Sequence, residues 1–81
     1  MKPYVKVYMN HFGYGEQDFI PSELSGKRAH DIHHIKFRSQ GGKDEIENLI
    51  ALTREEHNEA HANPVCNKKL KEKHLIYLDL F

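Results

Sequence analysis

Four histidines and one asparagine constrain this chain more than anything else in it. His33 and His34 are adjacent, Asn48 follows fourteen residues after His34, and His57 and His61 stand four apart. A chain that gathers all five in one place has few folds open to it. The last pair sets the geometry. The segment from Arg54 to Ala62 is rich in helix formers and has neither Gly nor Pro. On a helix, residues four apart share a face, about 6 Å apart along the axis. His57 and His61 can therefore offer two imidazoles to one point, and neutral imidazole is the commonest side-chain ligand of transition-metal ions. Thr53 and, three residues on, Glu56 form the pattern of a capping box, in which hydroxyl and carboxylate each satisfy an orphan backbone N–H. That predicts where the helix starts and so where His57 points.

Upstream, Ala29 to Ile35 reads as a short strand. Neighbouring strand residues point to opposite faces, so His33 and His34 share a site only if the chain bends or the strand ends there. One ring then binds metal while the other stays free to take a proton. Lys36 to Asp44 contains Gly41-Gly42 and the cations Lys36, Arg38 and Lys43, and reads as a loop. Ile46 to Leu52 is a second apolar strand. The expected order is strand, loop, strand, helix.

The run DIHHI…GGKDEIENLIAL…EEHNEAH resembles the HNH endonuclease family, a ββα-metal fold, in the His-His…Asn…His-x-x-x-His order of the colicin-type DNases. The resemblance spans about residues 19 to 61, with the motif core at 29–62. It implies an α+β domain that hydrolyses DNA phosphodiesters with one divalent ion. It puts His33 at the first ligand position, His34 at the general base, and Asn48 as the brace of the loop that positions His34. His57 matches the second histidine ligand, and His61 a third ligand or phosphate contact. Three imidazoles favour Mn²⁺, Ni²⁺ or Zn²⁺ over Mg²⁺ in raw affinity. The implied partner is nucleic acid, DNA ahead of RNA, and one site per chain implies nicking of one strand by a monomer or homodimer. The rival reading is a non-catalytic, metal-stabilised nucleic-acid-binding module, which needs ligands but neither His34 nor Asn48.

One departure from the family is informative. Many relatives carry a zinc ribbon built from two Cys-x-x-Cys pairs. Here Ser22 and Ser25 occupy the first pair, and Thr53 and Glu56 the second. Four hard oxygens do not reproduce a thiolate site, so no structural zinc is expected, and stabilisation has to come from elsewhere.

With 81 residues, one small domain is expected over 1–81. There is no apolar run long enough for a membrane span and no signal peptide, which makes a cytoplasmic location the default expectation; the bacterial or phage setting is what the resemblance implies. The formal net charge is zero with histidines neutral. That excludes a strongly basic binder and leaves weak, salt-sensitive binding or a local basic surface.

The remaining stretches read as support. Five of the eight aromatics lie in residues 3 to 19. Tyr4 to Met9 reads as an N-terminal strand, followed by a turn over His11 to Gly15, with the aromatics packing the back of the core. After Asn63-Pro64, a C-terminal helix is expected over about 64–80, with Asn63 as its cap. Its stripe is Leu70, His74, Tyr77, Leu78 and Phe81, with Lys68, Lys69, Lys71 and Lys73 on other faces. Asp31 either orients an imidazole through its second ring nitrogen or is an ordinary strand residue. Arg38, Lys43 and Arg54 are candidate phosphate contacts or merely solvated cations. His11 and His74 read as structural or exposed, and Cys66 as a free thiol.

Overall fold

The computed structural model describes residues 2–63 and 65–80, without the Cys66 side chain. The elements are α1 (Pro3–Phe12), β1 (Asp31–His34), β2 (Leu49–Leu52), α2 (Arg54–Ala62) and α3 (Cys66–Leu80), with single 3-10 turns at Arg38–Gln40 and Ile46–Asn48. The class is α+β, as expected. β1 and β2 form an antiparallel hairpin in which Asp31 pairs with Leu52 and His34 with Leu49.

β2 is buried along its whole length, so it presents no polar alternation. One face, Ile50 and Leu52, packs with Ile35, Ala60 of α2 and Leu70 of α3. The other, Leu49 and Ala51, packs with Tyr8 of α1, flanked by Tyr4, Val7 and Phe12. The hairpin is thus sandwiched between α1 on one side and α2 with α3 on the other.

The N-terminal strand expected over Tyr4 to Met9 is instead the helix α1. Aromatic and β-branched residues there alternate well enough for a strand, but Tyr4, Tyr8 and Phe12 also recur every four residues, the helical step. Pro3 fits the first turn, where its missing N–H would have had no partner. Gly13 ends the helix in the left-handed region at φ 73°, which a side chain disfavours. The helix wins because this spacing covers the whole Leu49 and Ala51 face. The second strand is also shorter than expected, since Ile46 to Asn48 form a turn that aims Asn48 into the preceding loop.

The four positions where the resemblance would place cysteines form a hydrogen-bonded knot. Ser22 Oγ donates to Glu56 Oε1 at 2.5 Å, and the Thr53 N–H donates to the same oxygen at 2.8 Å. The Glu56 N–H returns a bond to Thr53 Oγ1 at 3.2 Å, completing the expected capping box. Burial pushes the Glu56 carboxyl up, but bonds from Ser22, Thr53 and Ser25 outweigh it and hold the group below its ordinary value. The knot ties the segment before β1 to the start of α2, and so helps aim His57.

α3 is anchored at His74, whose ring is fully buried. Its Nδ1 lies 2.7 Å from Glu23 Oε1, and its Nε2–H donates to the Ile46 carbonyl at 2.6 Å. The Tyr8 hydroxyl donates to the other Glu23 oxygen at 2.7 Å. Burial and the Glu23 carboxylate push the Tyr8 hydroxyl well up, so it remains a donor. Leu70 and His74 of the expected stripe are buried, and Tyr77 and Leu78 half-buried. Phe81, the helix start at Pro64 and the Cys66 thiol lie outside the described residues and side chains. Among the described residues no helix is long and apolar enough to cross a membrane.

Candidate metal centre

β1 ends at His34, so the two adjacent histidines do come to one place. His33 is 1% exposed and turns inward, while His34, at the last strand position, is partly exposed. Both line an open cavity of about 390 Å³ together with Phe37, Arg38, His57 and His61.

His33, His57 and His61 each offer one ring nitrogen within 4.8 Å of the others. The Nε2 atoms of His57 and His61 are 3.0 Å apart, as expected for residues four apart on α2. Phe37 stacks on His61 with centroids 4.8 Å apart and planes 16° off parallel. Burial pushes His33 down to about 4; its bond to Asn67 opposes the shift, and the neighbouring histidines add to it. His33 is therefore neutral at pH 7 with a lone pair to give. Three imidazoles converging on one point, one of them kept neutral by burial, fit a divalent transition ion.

Asp31 faces this cluster from β1. Its carboxylate lies 3.1 Å from His57 Nδ1 and accepts from Arg54 Nε at 2.8 Å. Burial alone would raise the Asp31 carboxyl, but these two partners outweigh it and lower it. With Nδ1 so occupied, His57 turns Nε2 toward His61. Arg54 is thus engaged with Asp31 and lines neither the histidine cavity nor the larger one that Lys43 lines. Of the three candidate phosphate contacts, only Arg38 borders the histidines.

His34 Nε2 lies 2.7 Å from Asp44 Oδ1, and the ring meets the edge of Tyr4 at 4.5 Å. Asn48 is buried and fixes the loop between them. Its Oδ1 accepts from the Lys36 N–H at 2.7 Å, and its Nδ2 donates to the carbonyls of Lys36 and Lys43 at 3.1 and 3.0 Å. The loop closes tightly at Gly42, where a Cβ would stand 1.8 Å from the Lys36 carbonyl oxygen. Only glycine fits there.

Two polar neighbours of the site carry no mark in the sequence. Asp44 is one acidic residue in a polar loop. Asn67 belongs to α3, yet its Oδ1 sits 3.0 Å from His33 Nε2. Nothing in the spacing of either links it to a histidine, because both contacts depend on how the loop and α3 fold back. His30 and His11 are exposed and outside the cluster.

Residues 20–63, more than half the chain, match the family described as HNH endonuclease. The chain is also 36% identical, over 58 residues, to the protein named "Probable mobile endonuclease C" of Enterobacteria phage T4. That alignment covers 72% of this chain and 27% of the phage protein, so the chain spans about a quarter of that relative's length. No solved structure matches. With its histidine cluster, bracing asparagine and hairpin-to-helix order matched as one unit, the chain belongs to the HNH endonuclease family.

Proposed function

We propose that this chain is a metal-dependent endonuclease that hydrolyses one strand of DNA, with His34 as general base. The observation that carries this reading is the convergence of His33, His57 and His61 beside His34 in one open cavity. His33, His57 and His61 would hold the metal, and a divalent ion bound there would supply Lewis-acid charge at the phosphate.

The chain's own residues do the rest. The Nε2–H of His34 donates to Asp44, which leaves the lone pair on Nδ1. That nitrogen takes a proton from water as the water oxygen attacks phosphorus. The bond from phosphorus to the 3′ oxygen breaks and that oxygen takes a proton from solvent, leaving 5′-phosphate and 3′-hydroxyl ends. Asn48 keeps the Lys36–Lys43 loop, and with it Asp44, at a fixed distance from His34. Asp31 orients His57, and Arg38 is positioned to meet a phosphate oxygen.

A supercoiled-plasmid nicking assay with Mn²⁺ or Mg²⁺ tests this directly. His34→Ala should abolish nicking while calorimetric metal affinity stays within about twofold, since His34 holds no metal. His57→Ala should lose both. Full nicking by His34→Ala, or loss of metal binding in that variant, refutes the base assignment.

A further inference from the structure

Beside the histidine cavity lies a second one of about 670 Å³, between the loop and the start of α3. Phe37 lines both and forms the wall between them. Lys36 and Lys43 line the second cavity from the loop, and Lys68 and Lys71 from α3. Glu45 and Glu47 line it as well, so four ammonium groups face two carboxylates. The local balance is +2 in a chain whose formal total is zero. A concave surface of one dominant sign concentrates ligands of the other.

The cations are held on a fixed frame. Asn48 bonds the backbone of both Lys36 and Lys43. Lys71 Nζ donates to the Glu47 carbonyl at 2.6 Å, which ties α3 to the turn before β2. Asn67, one residue before Lys68, reaches back to His33 in the metal centre. Lys68 and Lys71 lie beyond the 20–63 segment that matches the family.

The geometry points to a second phosphate-binding subsite: the lysine-lined cavity takes backbone phosphates of the DNA strand whose scissile bond lies at the histidines. α3 is then a substrate-binding element. The ligand's identity rests on the nuclease reading. Lysine meets phosphate as a point charge, which suits these four side chains to the DNA backbone. The subsite also accounts for how a chain of zero net charge holds a polyanion.

The test is fluorescence anisotropy of a short labelled duplex in EDTA, where nothing is cut, across a salt series. Each lost phosphate contact lowers the slope of log K against log salt by about 0.9. Lys36→Gln/Lys68→Gln, at two exposed positions, should lose up to about 1.8 in slope and bind roughly tenfold more weakly at low salt. Lys69→Gln/Lys73→Gln alters the same helix but a different cavity, and should leave the slope unchanged. Equal slopes for the two double variants overturn the subsite, and so does undetectable binding by the unmodified chain at low salt. Circular dichroism confirms that both variants fold. Because neither metal nor cleavage enters, the two readings fail separately. Lysine-dependent binding by a chain that never nicks keeps the subsite and discards the nuclease. Nicking with an unchanged slope does the reverse.

Discussion

Replacing Asn48 with aspartate changes no shape, only one amide nitrogen to oxygen, and so isolates the hydrogen bonds of the loop. The variant keeps the acceptor for the Lys36 N–H but loses both bonds from Nδ2. At about 1 kcal/mol per bond that is about 2 kcal/mol, and a buried carboxylate oxygen facing two carbonyls adds about 1–3 more. The total, about 3–5 kcal/mol, is a large part of the roughly 4–12 kcal/mol expected for a chain this long. At about 4–8 °C per kcal/mol the melting temperature should fall by at least 12 °C. Asn48→Ala removes all three bonds and leaves the Lys36 N–H without its acceptor, so it should also melt at least 12 °C below the parent, at about 1 kcal/mol per bond and about 4 °C per kcal/mol. Thermal melts followed by circular dichroism measure both. Nicking below the melting range should also drop in Asn48→Asp, because Asp44 follows Lys43 directly and its distance from His34 slackens. An Asn48→Asp protein that melts within about 2 °C of the parent would show that packing and not hydrogen bonding fixes this loop.

Two further predictions follow from the knot and from α3. Glu56→Gln should destabilise the chain by about 1–2 kcal/mol at pH 7, where an ionised carboxylate accepts from Ser22 and Thr53. The folded Glu56 is held below its ordinary 4.5, so its stabilisation is complete above that value and is lost as pH falls through the lower folded value. Urea melts should converge for parent and Glu56→Gln as acid is added; a constant gap down to pH 3 contradicts the assignment. Asn67→Ala should weaken Mn²⁺ binding by about 10–100-fold in calorimetry, the usual effect of removing a partner of a ligating histidine. Unchanged affinity would mean that the contact between Asn67 and His33 does not order the centre.

Much of the site could be read from residues whose relation is local. His57 and His61 share a face because four residues make about one helical turn, and Thr53 with Glu56 marks the start of α2 within the same few residues. The end of β1 at His34 follows from needing two adjacent rings in one place. What escaped depends on distant parts of the chain. Tyr4 to Met9 carries both a two-residue and a four-residue rhythm, and only the Leu49 and Ala51 face that it covers decides for helix. Ile46 to Asn48 turns because Asn48 must reach the backbone of Lys36, twelve residues back. Asp44 and Asn67 show no periodic relation to the histidines they touch. Ser22 and Ser25 were noticeable as absent thiols, but the bond from Ser22 to Glu56 crosses 34 residues.

The buried contact between His74 and Glu23 bears on where this chain can be shortened. The family match stops at residue 63, which invites a shorter chain that keeps every motif histidine. Such a truncation would remove the buried His74 ring with its bonds to Glu23 and the Ile46 carbonyl, and Leu70 from the core beside Ile50 and Leu52. Losing the packing of one buried leucine alone costs about 2–5 kcal/mol. The expected outcome is that recognisable motif and foldable unit have different boundaries in this chain, the second reaching at least to His74, and a thermal melt of the 1–63 fragment checks it.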